Sequence, residues 1–140
     1  RLPVTDDEGL QSVAEYKGAG ESILVVDDVP EQRELATDIF NRLGYKADAV
    51  ASGEEAVNYL KEKTVDLLIL DMIMEPGIDG LETYRRIVGM RPGQKALIVS
   101  GFSETERVRE AQRLGAGAYI RKPYVPEKIA LAVREELDKA

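Results

Sequence analysis

The sequence predicts an α/β fold: one doubly wound sheet of five parallel strands in the order 2-1-3-4-5, with helices on both faces. Three observations carry this. Short apolar runs of strand length recur along the chain, and three of them are continuous, as strands covered on both faces must be. A stretch of helical periodicity follows each run. Glycine, proline or a hydroxyl residue marks most of the boundaries.

Ile23-Leu24-Val25-Val26 is the first strand and ends in Asp27-Asp28. Pro30 opens a helix at a first-turn position, with Asp28 a candidate N-cap. Leu35, Ile39 and Leu43 follow at intervals of four, with Ala36 and Phe40 beside them, and Gly44 ends the helix. Tyr45 to Val50 is the second strand. Ser52 caps a helix from Gly53 to Lys61 that turns Ala56, Val57 and Leu60 inward. Val65 to Leu70 is the third strand and runs into Asp71. The helix from Gly80 to Met90 carries Leu81, Tyr84, Ile87 and Val88 on one face. Ala96 to Val99 is the fourth strand, ending at Ser100-Gly101. Ser103, with Glu106 at capping-box spacing, is expected to start a helix bearing Val108, Ala111 and Leu114, which Gly115 stops. Ala118 to Ile120 is the fifth strand and leads into Arg121-Lys122-Pro123. The last helix starts near Pro126, with Ile129, Val133 and Leu137 four apart.

Residues 1–20 show no clear period, and Asp6-Asp7-Glu8-Gly9 and Gly18-Ala19-Gly20 are turn material. They read as an arm or interdomain linker, with the domain over residues 21–140; a helix over residues 7–16 is the competing reading. The chain starts with Arg1, which suggests a piece of something longer or a processed end.

Composition limits the chemistry. The 140 residues are 44% hydrophobic and 32% charged, which suits one globular domain. Lys plus Arg number 19 against 26 Asp plus Glu, a net charge of −7, which disfavours nucleic acid and anionic membranes as partners. There is no Cys and no His. Thiolate nucleophiles, Ser-His triads and His- or Cys-ligated metals are therefore excluded. No apolar run reaches the length of a membrane span and no signal peptide is evident, so a cytoplasmic location is the expectation.

In an open α/β sheet a site forms beyond the carboxyl ends of the strands. The predicted strands 1, 3, 4 and 5 lead there into Asp27 and Asp28, Asp71, Ser100 and Lys122. Each piece alone is weak: a strand-end Asp is often a cap or turn residue, Ser-Gly is often a turn, and most lysines are simply solvated. Their joint placement is what points to function. Three carboxylates in one pocket stay ionised if a cation joins them, and hard oxygen ligands select Mg²⁺ or Mn²⁺. With a lysine and a hydroxyl opposite, the pocket suits a tetrahedral phosphoryl group, for which an Asp can be the covalent acceptor. Asp71, ending the central strand, is the natural nucleophile.

These residues resemble the receiver domain of bacterial two-component response regulators. The resemblance rests on Ile23-Leu24-Val25-Val26-Asp27-Asp28, Asp71-Met72-Ile73-Met74 with Pro76-Gly77-Ile78-Asp79-Gly80, Ser100-Gly101, and Ala118-Tyr119-Ile120-Arg121-Lys122-Pro123, and covers about residues 22–138. It implies a flavodoxin-like receiver fold with Asp71 as phosphoacceptor. It implies Mg²⁺ held by Asp28 directly, by Asp27 through water, by Asp71 and by the backbone carbonyl of Ile73. Ser100 and Lys122 would contact phosphoryl oxygens, and Tyr119 would be an aromatic switch moving with Ser100. A partly buried strand aromatic is the plain alternative for Tyr119.

Glu75 makes the loop after Asp71 one residue longer than the family pattern. Ile73 and Phe102 place apolar groups near the pocket mouth, where they would hinder the water that hydrolyses an acyl phosphate. With no His in the chain, the phosphoryl donor must be a histidine kinase or a phosphotransfer domain. The fourth helix, fifth strand and fifth helix would form the output face. The leading Leu2-Pro3-Val4-Thr5 and its acidic linker are similar to the segment that precedes the carboxyl-terminal receiver of hybrid sensor kinases; a free-standing regulator is the other option. No DNA-binding motif is present, so a transcription factor is not expected.

Competing classes fare worse. A haloacid-dehalogenase-like phosphatase needs an acid two residues after its nucleophile, where this chain has Ile73. A flavodoxin-like flavin carrier wants a hydroxyl-rich loop after strand 1, where this chain has two acids. A pseudo-receiver that binds partners without being phosphorylated is the serious alternative.

Overall fold

The computed structural model describes residues 16–101 and 105–139. The strands are β1 (Ser22–Val26), β2 (Lys46–Val50), β3 (Leu67–Asp71), β4 (Ala96–Ser100) and β5 (Tyr119–Arg121). The helices are α1 (Pro30–Arg42), α2 (Gly53–Glu62), α3 (Gly80–Met90), α4 (Glu106–Arg113) and α5 (Pro126–Leu137). All strand pairs are parallel and the order is β2-β1-β3-β4-β5. This is the doubly wound sheet that the alternating pattern predicts.

Every residue of β3 and β4 is buried, as two covered faces require. Successive side chains point to opposite faces, so each strand feeds two cores. Leu68, Leu70, Ala96 and Ile98 pack with Leu60, Tyr84, Ile87 and Val108 on the face covered by α2, α3 and α4. Leu67, Ile69, Leu97 and Val99 pack with Phe40, Ile129 and Val133 on the face covered by α1 and α5.

Four local expectations need correction. Leu35 is 42% exposed, because the inward stripe of α1 runs through Ala36, Ile39 and Phe40 and leaves Leu35 on its flank. The cap of α1 is Val29, with no side-chain bond; Asp28 does not cap the helix. The cap of α4 is Thr105, whose hydroxyl accepts from the Val108 amide at 3.3 Å, so α4 starts later than a Ser103 cap requires. Ser103 itself lies outside the described residues. Strand β3 starts at Leu67, two residues after the expected Val65, because Asp66 is tied sideways to Ser22, whose amide donates to its carboxylate at 2.8 Å.

Two glycines set the chain at opposite edges of the sheet. At Gly80 a Cβ would come within 2.5 Å of the Asp71 carbonyl oxygen and 2.7 Å of Met72 Cα. Only glycine lets α3 begin so tightly against the end of β3. At the amino edge, a Cβ on Gly18 would strike the Tyr45 ring, while the Gly18 amide donates to the Leu43 carbonyl at 2.7 Å. Residues 1–15 of the expected arm lie outside the described residues. Residues 16–20 run along the turn after α1, with Tyr16 packed on the α1/α5 core. Among the described residues no helix is long and apolar enough to cross a membrane.

Candidate functional site

Parallel strands bring their carboxyl ends together, and helices that return antiparallel to them begin at the same edge. Asp27 follows β1, Asp71 ends β3, Ser100 ends β4 and Lys122 follows β5. Asp27, Asp28 and Asp71 each offer a carboxylate oxygen, and these lie within 4.8 Å of one another. Asp27 is fully buried, Asp71 is 4% exposed and Asp28 is half-buried. At such spacing and low dielectric the mutual repulsion is worth several kcal/mol unless it is compensated.

One ammonium answers it in part. Lys122 Nζ lies 2.7 Å from Asp27 Oδ2 and 3.3 Å from Asp71 Oδ2. Burial pushes the Asp71 carboxyl up to about 6; Lys122 works against that shift and the Asp27 charge adds to it. For Lys122, burial favours the neutral amine, but the bond to Asp27 and the charges of Asp71 and Asp27 outweigh it and hold its pKa above the ordinary value. Backbone amides serve the remaining oxygens: Ile73 donates to Asp71 Oδ1 at 3.2 Å and Val29 to Asp27 Oδ1 at 2.9 Å.

The set is chemically suited to a hard divalent cation. It offers three carboxylates at one point and no softer ligand, and it holds more negative charge than the one contacting ammonium offsets.

The other expected residues surround this core. Ser100 is buried, and its carbonyl accepts from the Lys122 amide at 2.8 Å, which ties the end of β4 to the lysine. Ile73 is 48% exposed beside Asp71. Phe102 lies outside the described residues. Tyr119 is half-buried against the α2/α3/α4 core, and its hydroxyl is buried without a hydrogen-bond partner among the described residues. The loop after Asp71 is tethered from two sides. The Glu75 amide donates to Asp28 Oδ2 at 3.4 Å and the Ile78 amide to Glu54 Oε2 at 3.1 Å. Next to this loop a cleft of about 390 Å³ opens between Met72–Glu75 and the start of α4, with the Arg107–Asp79 ion pair (2.6 Å) on its wall.

Sequence reasoning passes over Arg33 and Tyr124, and takes Arg107 for a solvated charge. Arg33 reaches back from α1 to donate to the Asp27 carbonyl at 2.8 Å. Tyr124 is buried two residues after Lys122, with the ammonium 5.9 Å from its ring centroid. Arg107 joins α4 to the cap of α3 through Asp79. Arg33 and Arg107 look like ordinary surface arginines in sequence, and only the fold brings them here. For Tyr124 the position right after Lys122-Pro123 was a usable signal.

Known proteins resemble this chain in sequence and fold. The response regulator receiver domain family matches residues 23–134. Sporulation initiation phosphotransferase F of Bacillus subtilis is 32% identical over 117 residues, covering 84% of this chain and 94% of that protein. A CheY-like response regulator receiver domain protein from Methanospirillum hungatei superposes with a TM-score of 0.80 at 28% identity, covering 85% of this chain and 94% of that one. The response regulator TrrA from Thermotoga maritima, solved in complex with Mg²⁺-BeF, superposes at 0.74 with 32% identity, covering 82% and 97%. The family match spans most of the chain and contains all the clustered acids together with Ser100 and Lys122. The protein therefore belongs to the response regulator receiver domain family.

Proposed function

We propose that this domain accepts a phosphoryl group on Asp71 from a phosphohistidine of a histidine kinase or phosphotransfer domain. The observation that carries this reading is the cluster of Asp27, Asp28 and Asp71 with Lys122 bridging two of them. An Asp71 carboxylate oxygen attacks phosphorus, the P–N bond breaks, and the electron pair stays on the imidazole nitrogen. Asp27, Asp28, Asp71 and the Ile73 carbonyl would hold Mg²⁺ or Mn²⁺, which neutralises the carboxylates and the transferring group. Lys122 shifts from the carboxylates to a phosphoryl oxygen, and the Ser100 hydroxyl donates to another. Tyr119 follows Ser100 and alters the face formed by α4, β5 and α5. The domain is a signalling module, and its chemistry is confined to its own aspartate.

Intact-mass spectrometry after incubation with acetyl phosphate tests this. The reading expects one phosphoryl group, dependent on Mg²⁺ and absent from Asp71→Asn. A folded wild-type protein that gains none in Mg²⁺ would favour the pseudo-receiver instead.

The exposed Ile73 side chain supports a long-lived phosphorylated state, because an apolar group at the mouth disfavours an ordered attacking water. The phosphorylated protein should decay severalfold faster in Ile73→Asn, followed by loss of the added mass over time. Equal decay rates remove Ile73 from the account. The acidic, glycine-containing composition of residues 1–20 supports reading them as an arm or interdomain linker within a larger signalling chain, its last residues docked on the turn after α1, with the domain over 21–140. Histidine-containing partners are the proposed donors in either setting, and nucleic acid and membrane are not proposed as partners.

A further inference from the structure

We propose that Tyr124 is a positioning residue for the phosphorylated state: its hydroxyl takes over Asp27 when Lys122 turns to the phosphoryl group. This rests on the assignment of Asp71 as phosphoacceptor and extends it to a residue outside the acid–lysine–serine set.

Three observations lead there. Tyr124 is 7% exposed, its ring packed in the α1/α5 core, where phenylalanine would fill the same space. Its hydroxyl is buried with no hydrogen-bond partner among the described residues. A buried hydroxyl left unpaired is costly, so a tyrosine here needs a state in which the group is used. The third observation is position. The Lys122 ammonium stands 5.9 Å from the Tyr124 ring centroid and 2.7 Å from Asp27 Oδ2. Burial drives the phenol far above its ordinary pKa, and the charges of Asp27 and Asp71 and the nearness of the Asp27 carboxylate drive it further, so the hydroxyl keeps its proton and stands beside Asp27, short of a hydrogen bond.

The exchange follows from counting donors. Asp27 Oδ2 is served by Lys122, and Oδ1 by the Val29 amide. When Lys122 leaves for a phosphoryl oxygen, Oδ2 loses its charged protein donor and keeps only what the proposed Mg²⁺ and its waters would give it. Tyr124 is the adjacent buried group with a proton to give. A hydroxyl that gains a bond only after Lys122 moves favours the moved arrangement, and so prolongs the phosphorylated state.

Tyr124→Phe removes the hydroxyl and keeps the ring. One arm reads folding alone, without metal or phosphate, in a double-mutant cycle with Lys122→Met. In wild type, where the hydroxyl is unpaired, Tyr124→Phe should leave the unfolding constant the same or lower it. In Lys122→Met, where Asp27 is open to the hydroxyl, the same change should raise the unfolding constant about fivefold. The second arm keeps Lys122 and follows decay of the phosphorylated protein, which should quicken about fivefold in Tyr124→Phe. Equal effects of Tyr124→Phe in both backgrounds, or an unchanged decay rate, overturn the proposal. Wild-type protein that takes no phosphoryl group overturns both this inference and the reading beneath it. Phosphorylated Tyr124→Phe that decays at the wild-type rate overturns the inference alone.

Discussion

The two edges of the sheet both gather charge, but they dispose of it differently. At the amino edge Arg134 binds Glu21 at 2.8 Å and Asp138 at 2.9 Å and donates to the Tyr45 hydroxyl at 3.3 Å. Asp138 is 62% exposed there, so water screens what the arginine does not neutralise. Lys95 donates to the Leu137 carbonyl at the end of α5, and Ser22 is tied to Asp66. Each group has its partner or solvent. At the carboxyl edge Asp27 and Asp71 are shut away from water with one lysine between them, and the tyrosine hydroxyls on either side of that lysine have no partner among the described residues. The amino edge is a closed brace. The carboxyl edge keeps an excess of buried negative charge, which the proposed binding of a cation and a phosphoryl group would answer.

The largest expected effect comes from removing the shared lysine. Lys122→Met leaves buried carboxylates without their ammonium and should destabilise the metal-free protein by about 3 kcal/mol. Mg²⁺ should restore part of this, read by urea unfolding with and without the ion; an equal loss in both conditions would break the contrast. Asp28→Asn should act in the opposite sense. Taking one carboxylate from the crowded edge should stabilise the metal-free protein by about 1 kcal/mol and weaken its response to Mg²⁺.

These two residues also show how much was legible in the sequence. Asp28 and Lys122 stand at strand ends, where an apolar run gives way to a charged residue, and strand alternation alone brings such ends together. The same logic placed Asp27, Asp71 and Ser100. What it could not give was the pairing within the cluster. That Lys122 leans on Asp27 more closely than on Asp71 depends on the course of the loop after β5. Likewise the helical period identified α1 but misjudged Leu35, since a spacing of four fits two neighbouring stripes and the core selects one. The boundary of α4 was missed because two hydroxyl residues could cap it. Tyr16 to Gly20 carry no period, so nothing in the sequence announces that the Gly18 and Gly20 amides bond to the turn after α1.

That brace supplies the smaller effects. Arg134→Ala should cost about 1 kcal/mol, equally with and without Mg²⁺, and should leave phosphorylation by acetyl phosphate unchanged. A Mg²⁺-dependent loss would show that the two edges are coupled. The smallest effect is the pH dependence of Glu21. Burial works to raise its pKa, but the Ala19 and Glu21 backbone amides and Arg134 outweigh that and hold it below the ordinary glutamate value. A carboxyl depressed on folding stabilises the protein fully above its unfolded pKa and ceases to do so as pH falls through the folded one. The stability gap between wild type and Glu21→Gln should therefore be a few tenths of a kcal/mol at neutral pH and close in acid. A gap that widens in acid contradicts the sign.

The most direct test of the claim that the carboxyl edge is completed by a phosphoryl group is to locate that group. Borohydride reduces an acyl phosphate to an alcohol and so converts a phosphorylated aspartate to homoserine. Protein treated with acetyl phosphate and Mg²⁺, then reduced and sequenced by mass spectrometry, should carry homoserine at position 71 and nowhere else, and none when Mg²⁺ is withheld. Homoserine at position 27 or 28, or its absence from phosphate-treated protein that is folded and bound to Mg²⁺, would contradict the account.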